Sequence, residues 1–138
     1  MLQIYFSQME VLRLFSVPLS RLNSLLFEEL RIKGYSDLKP AHAQVFQHLE
    51  ATGSRITELA QKAEITKQSM SMLVYEMEKA GYLKRQKDKA DKRAVIFKLT
   101  AKGEKLYALA DRILYSIIES WKIPKSDQSL NDLRALLK

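Results

Sequence analysis

ITELAQKAEITKQSMSMLVYEMEKAG, residues 56–81, is the stretch whose reading decides the fold. It predicts two short helices around a tight corner. Thr57 is a candidate N-cap for the first, whose buried side holds Leu59, Ala60 and Ala63. Glu64 and Ile65 form the corner. Thr66 offers the second N-cap, and Met70, Leu73, Val74 and Met77 then fall at i, i+3, i+4 and i+7, the apolar stripe of an amphipathic helix. Gly81 stops that helix by accepting a left-handed conformation that side chains resist. This is helix-turn-helix spacing.

The charge of the chain begins where that helix ends. Residues 79–105 hold ten Lys or Arg against Asp88, Asp91 and Glu104, so one segment carries the whole formal net charge of +7 and the remainder sums to zero. A segment of this kind attracts a polyanion. Residues 82–87 and 94–99 read as strands and the charged residues 88–93 as the turn between them, which makes a basic β-hairpin.

On the N-terminal side, Phe15, Leu19, Leu22, Leu26 and Leu30 recur at steps of three and four and predict a helix from about Ser7 to Lys33. Pro18 either kinks this helix or starts it. Gly34, Tyr35, Ser36 and Asp37 end it; a second helix over residues 39–51 buries Ala41, Val45, Phe46 and Leu49; Thr52, Gly53 and Ser54 break the chain again. On the C-terminal side, Thr100 caps a helix reaching about Trp121, with Leu106, Leu109, Ile113, Ile117 and Trp121 on one face. That stripe is wider than a winged domain ending near Gly103 covers. The N-terminal helix and the stretch with Leu130, Leu133, Leu136 and Leu137 still leave apolar surface over, so a second copy of the chain is the expected cover. The expected fold is mainly α with a small β-hairpin wing. It is a single domain over residues 1–138, with a winged helix-turn-helix in 36–103 and helical dimerisation parts in 1–35 and 104–138.

Rotating through 100° per residue from Met70 places Gln68, Met72, Tyr75 and Lys79 opposite the buried side of the second helix, with Ser71 on its flank. Such a face suits the major groove of duplex DNA. Gln68 matches adenine N6 and N7, Ser71 several base edges, and Met72 a thymine methyl, while Lys67 lies near the entering end of the helix. Thr66, Ser69 and the backbone amides beside them suit phosphate oxygens. In the hairpin, the planar, always charged Arg93 fits a narrow minor groove, and Asp91, two residues earlier, is placed to steady it. Asp88 reads as an ordinary turn former. Lys84, Arg85, Lys87, Lys89 and Lys92 are phosphate contacts or solvated charge.

Asp91 to Gly103 resembles the wing signature of the MarR (multiple antibiotic resistance regulator) family, D-x-R-x-x-x-x-x-L-T-x-x-G, and Ile56 through Leu83 matches that family's helix-turn-helix in order and spacing. The resemblance extends over essentially the whole chain. It implies a homodimeric transcription regulator, usually a repressor, that binds pseudo-palindromic duplex DNA and is often released by small phenolic or other amphipathic ligands. Met72 and Tyr75 stand where the family often has Arg and Asp, so its base preferences do not transfer. The short C-terminal helix alters the dimer contact the family leads one to expect. Phe27, Tyr35, Phe46 and Trp121 either line a ligand pocket near the junction of the helical and winged parts or serve as core.

Composition narrows the alternatives. With no cysteine, the chain has no disulfide, no thiolate metal site and no thiol-oxidation response of the kind some MarR relatives use. His42 and His48 lie about 240° apart around one predicted helix and cannot chelate one metal together, so neither a metal nor a cofactor is expected. No glycine-rich phosphate loop or nucleophile elbow appears, and an enzyme is not expected. No signal peptide and no stretch of ~20 apolar residues is read, which leads to the expectation of a cytoplasmic protein without membrane contact. The rival reading is a winged helix serving as a protein-interaction or RNA-binding module.

Overall fold

The computed structural model describes residues 8–121 together with Asn131 and Ala135; the apolar stretch with Leu130, Leu133, Leu136 and Leu137 lies outside the described residues. In chain order the elements are α1 (Gln8–Ile32), a 3-10 turn (Pro40–His42), α2 (Ala43–His48), α3 (Ile56–Lys62), α4 (Lys67–Lys79), β1 (Leu83–Lys87), β2 (Val95–Leu99) and α5 (Ala101–Ser120). This is the expected class, helical with one antiparallel hairpin.

Local chemistry sets most of the boundaries. Thr66 Oγ1 accepts the Ser69 amide at 3.1 Å and starts α4; Thr100 Oγ1 accepts the Gly103 amide at 3.1 Å and starts α5. At the corner of the helix-turn-helix, Glu64 adopts φ 54° while the Ile65 amide reaches back to the Ala60 carbonyl, a Schellman closure without glycine. Gly81, at φ 84°, closes α4 in the same way through Tyr82 and Met77. Pro18 sits inside α1, so it interrupts the hydrogen-bond ladder of a longer helix and does not start it.

Two expected helix starts move. α3 begins at Ile56, with Arg55 as N-cap in place of Thr57, because the Glu58 carboxylate turns back to accept the Arg55 amide at 3.0 Å. The helix expected over residues 39–51 is shorter and begins with a 3-10 turn behind Pro40, ending at His48. That tighter turn rotates the register, so His42 and Ala43 are buried and Ala41 is exposed.

The core gathers Leu26 and Leu30 of α1, Val45, Leu59, Met70, Val74 and Met77 of the short helices, Leu83 and Phe97 of the hairpin, and Leu106 and Ile113 of α5. Phe97 also bridges a third segment: the Ser54 and Phe97 amides and carbonyls exchange hydrogen bonds of 3.0 and 2.9 Å. Ser54 is buried, and the sequence reading treats it only as part of a break. Where α5 leaves the hairpin, Gly103 packs so closely that a Cβ there would overlap the Tyr82 carbonyl oxygen.

Candidate nucleic-acid interface

Helix α4 buries Met70, Val74 and Met77 completely and turns Gln68, Met72, Tyr75 and Lys79 outward, with Ser71 half-buried beside them. The face expected from periodicity is therefore displayed. At its N-terminus, Thr66, Lys67 and Ser69 are exposed, and Thr66 donates its hydroxyl to Ser69 Oγ at 2.8 Å. The first amides of an α-helix lack intrahelical acceptors, so this end presents donors and positive potential.

Next to α4 the hairpin pairs in the register Leu83 with Leu99, Arg85 with Phe97 and Lys87 with Val95. Its inner face anchors on buried Leu83 and Phe97, while Lys84, Lys87, Lys89, Lys92 and Arg93 are exposed and make no ion pair among the described residues. The acids nearby behave differently. Asp88 accepts the Ala90 amide at 2.9 Å and the Arg55 guanidinium at 2.6 and 2.9 Å. Those backbone and guanidinium bonds hold its carboxyl below the ordinary carboxylate value. Glu78 of α4 takes Arg85 of β1 through two bonds of 2.8 Å, which lowers its carboxyl in the same way.

Asp91 is placed two residues before Arg93 as expected, but its carboxylate accepts the Arg93 backbone amide at 3.0 Å, not the guanidinium. A short side chain at position i reaches the i+2 amide with little entropy loss, so the turn is steadied and the guanidinium is left free of it. Arg55 was not anticipated. Its partner Asp88 is remote in sequence, and a helix-start arginine carries no periodic signal.

Behind α4, His42 is buried and links the 3-10 turn to this helix. Its Nδ1 accepts the Lys39 amide at 2.9 Å, which leaves the proton on Nε2 to be donated to Glu76 at 2.8 Å. Lys39 Nζ joins the same carboxylate at 3.0 Å. Among the described residues no group of His, Asp and Glu is assembled to hold a metal ion, and no helix is long and apolar enough to cross a membrane.

A cavity of about 140 Å³ lies between α1, α2 and α5. Phe27 and Phe46 line it as expected, together with Leu30, Leu106, Tyr107 and Asp111. Tyr35 and Trp121 do not. Tyr35 faces Tyr82 with ring centres 6.5 Å apart, and Trp121 closes the C-terminus of α5. Tyr107, 6.2 Å from Phe46, was missed because it falls off the apolar stripe of its helix.

Residues 36–94 match the model of the MarR family. No curated protein matches the chain by sequence. Among solved structures, CouR from Rhodococcus jostii RHA1 bound to p-coumaroyl-CoA is 20% identical at a TM-score of 0.76, covering 93% of this chain and 89% of that one. FabT from Streptococcus pneumoniae, in complex with DNA, is 20% identical at 0.64, with 92% of each chain covered. Apo MarR from E. coli is 20% identical at 0.68, covering 91% of this chain and 92% of its own. The MarR-family match thus spans the helix-turn-helix and the wing as far as Ala94, and along the rest of the chain the likeness to these solved structures is one of fold.

Proposed function

We propose that the chain is a sequence-specific duplex-DNA-binding transcription regulator, a ligand-responsive repressor that acts as a homodimer on a pseudo-palindromic site. One observation carries the reading: in the wing the acids Asp88 and Asp91, and Glu78 of α4 beside it, are bound to structural partners, while Lys84, Lys87, Lys89, Lys92 and Arg93 face outward without ion pairs among the described residues. Those five side chains thereby present positive charge that no ion pair among the described residues takes up. Helix α4 enters the major groove with Gln68, Ser71, Met72 and Tyr75 toward the bases, Thr66, Lys67 and Ser69 hold phosphates, and Arg93 enters the minor groove. In this reading residues 36–103 are the reading part and residues 1–35 and 104–138 join the two copies. The structure of FabT with DNA and that of CouR with p-coumaroyl-CoA support both halves of the proposal.

The effector is a small aromatic or phenolic molecule held in the cavity between α1, α2 and α5. An apolar cavity of ~150 Å³ accommodates a benzene-sized molecule, and Phe27, Phe46 and Tyr107 supply aromatic walls. A protein reading duplex DNA works beside the chromosome, in the cytoplasm.

Titration of labelled duplex DNA at increasing salt is the deciding experiment. Neutralising ~6 to 10 phosphates predicts an affinity loss of ~10³ to 10⁵ between 50 and 200 mM salt. No duplex binding at low salt would reject the proposal in favour of a protein-interaction or RNA-binding module.

A further inference from the structure

Arg85 stands in the basic hairpin, yet its surroundings differ from those of the lysines beside it. Its Nε and Nη2 donate to the two carboxylate oxygens of Glu78, each at 2.8 Å, the forked pairing that fixes a guanidinium in orientation as well as position. Its central carbon lies 5.6 Å from the ring centre of Tyr75 and 5.6 Å from that of Phe97. The two rings are 6.2 Å apart and inclined at 60°. Glu78 follows Tyr75 by three residues on α4 and so shares its side of the helix, and Phe97 is the partner of Arg85 in the hairpin register.

Two consequences follow from this arrangement. The Glu78 carboxylate balances the guanidinium charge, and the forked bond takes up its Nε–Nη2 edge, one of the two on which a phosphate could be held through two bonds. Tyr75 is closed on one side by Phe97 and Arg85 but remains 49% exposed on the other, in line with Gln68 and Met72 on the outward face of α4. An aromatic ring has few torsions to freeze, so a ring already held in place loses little entropy on contact.

We infer that Arg85 is a positioning residue for base selection and not a phosphate contact: clamped by Glu78, it holds Tyr75 as a rigid aromatic reader whose exposed edge meets a thymine methyl in the major groove. The inference rests on the duplex-reading function proposed above. Apolar contact with that methyl is an established means of telling T·A from the other pairs.

The test compares two duplexes of equal length: one enriched from a random pool by the unaltered protein, and the same duplex with its T·A pairs replaced. For Arg85→Gln, the slope of log affinity against log salt stays as in the unaltered protein, and preference for the enriched duplex falls roughly tenfold. Tyr75→Ala loses the same preference, and the double variant loses no more than either alone. Tyr75→Phe retains it. Glu78→Ala removes the clamp without touching Arg85; it also loses preference, while the freed guanidinium steepens the slope by up to about 0.9 per protomer. Lys87→Gln, the control for a phosphate contact, flattens the slope by about 0.9 per protomer and leaves preference intact. A flattened slope with intact preference in Arg85→Gln would overturn the inference, and so would additive losses in the double variant. Failure of the unaltered protein to bind either duplex at low salt overturns the duplex-reading function instead.

Discussion

The winged segment and the helical arm carry the same kind of sequence pattern with opposite outcomes. On α4 the stripe closes on its own chain: Met70, Val74 and Met77 are fully buried. On α1 the stripe that buries Leu26 and Leu30 continues along the same face through Leu19, Phe15 and Leu12, which are 55%, 56% and 61% exposed. Periodicity identifies the face that wants cover. It does not say whether the cover lies in the same molecule. On α1 the stripe outruns the cover that the described residues offer, as the proposed homodimer requires.

The largest effect is expected where the two regions meet. Gly103→Ala forces a methyl group onto the Tyr82 carbonyl oxygen, a backbone atom that cannot step aside. It should cost about 3 kcal/mol or more of stability in chemical denaturation; an unchanged midpoint would mean that α5 leaves the hairpin differently. Next in size is the arm. Leu12→Glu combined with Phe15→Lys should convert a dimer into a monomer on sedimentation and lower duplex affinity by about a hundredfold, with the helical circular dichroism of the winged segment preserved. If the variant sediments unchanged, the exposed stripe has another role.

Within the winged segment, Arg93→Ala should weaken binding about tenfold, most strongly at sites with A·T-rich flanks, whereas Gln68→Ala relaxes selection in the major groove. Equal losses on every sequence would contradict this division. The smallest effect concerns Asp88. Its carboxyl is held below its ordinary value of 3.8 by the Ala90 amide and then by Arg55, so its contribution is complete at neutral pH and disappears as pH falls through the lowered value. Amide exchange at Ala90 should accelerate over that acid range in the unaltered protein, and the acid dependence should vanish in Asp88→Asn.

What the sequence makes legible is what is local. Thr66 and Thr100 cap amides three residues on, and the stripe of α4 repeats within four turns, so both can be read from neighbours alone. Arg55 with Asp88 and His42 with Glu76 join residues more than thirty positions apart, with no repeat to announce them. The start of α3 is hidden for a related reason: Ser54 is pinned to Phe97 across the fold, and Glu58 then caps the helix through the Arg55 amide. The candidate cavity was half legible. Phe27 and Phe46 lie on helix faces turned toward it, whereas Tyr35 and Trp121 sit at helix ends, where periodicity stops specifying direction.

The pairing of Ser54 with Phe97 pins the wing at its root. At Phe97 the strand β2 is held on both sides, by β1 and by Ser54; farther out, at Ile96 and Val95, it has only β1 among the described residues. A two-stranded ribbon alone is marginally stable in water. The outer end is tied back as well: Asp88 takes the Arg55 guanidinium at 2.6 and 2.9 Å, and Asp91 accepts the Arg93 amide within the turn. The stack of Tyr75, Arg85 and Phe97 sits at the inner of these two ties, and Arg93 is carried beyond the outer one. One strand pairing and one ion pair thus fix the wing at two points, so the direction in which it carries Arg93 is set by the body of the fold.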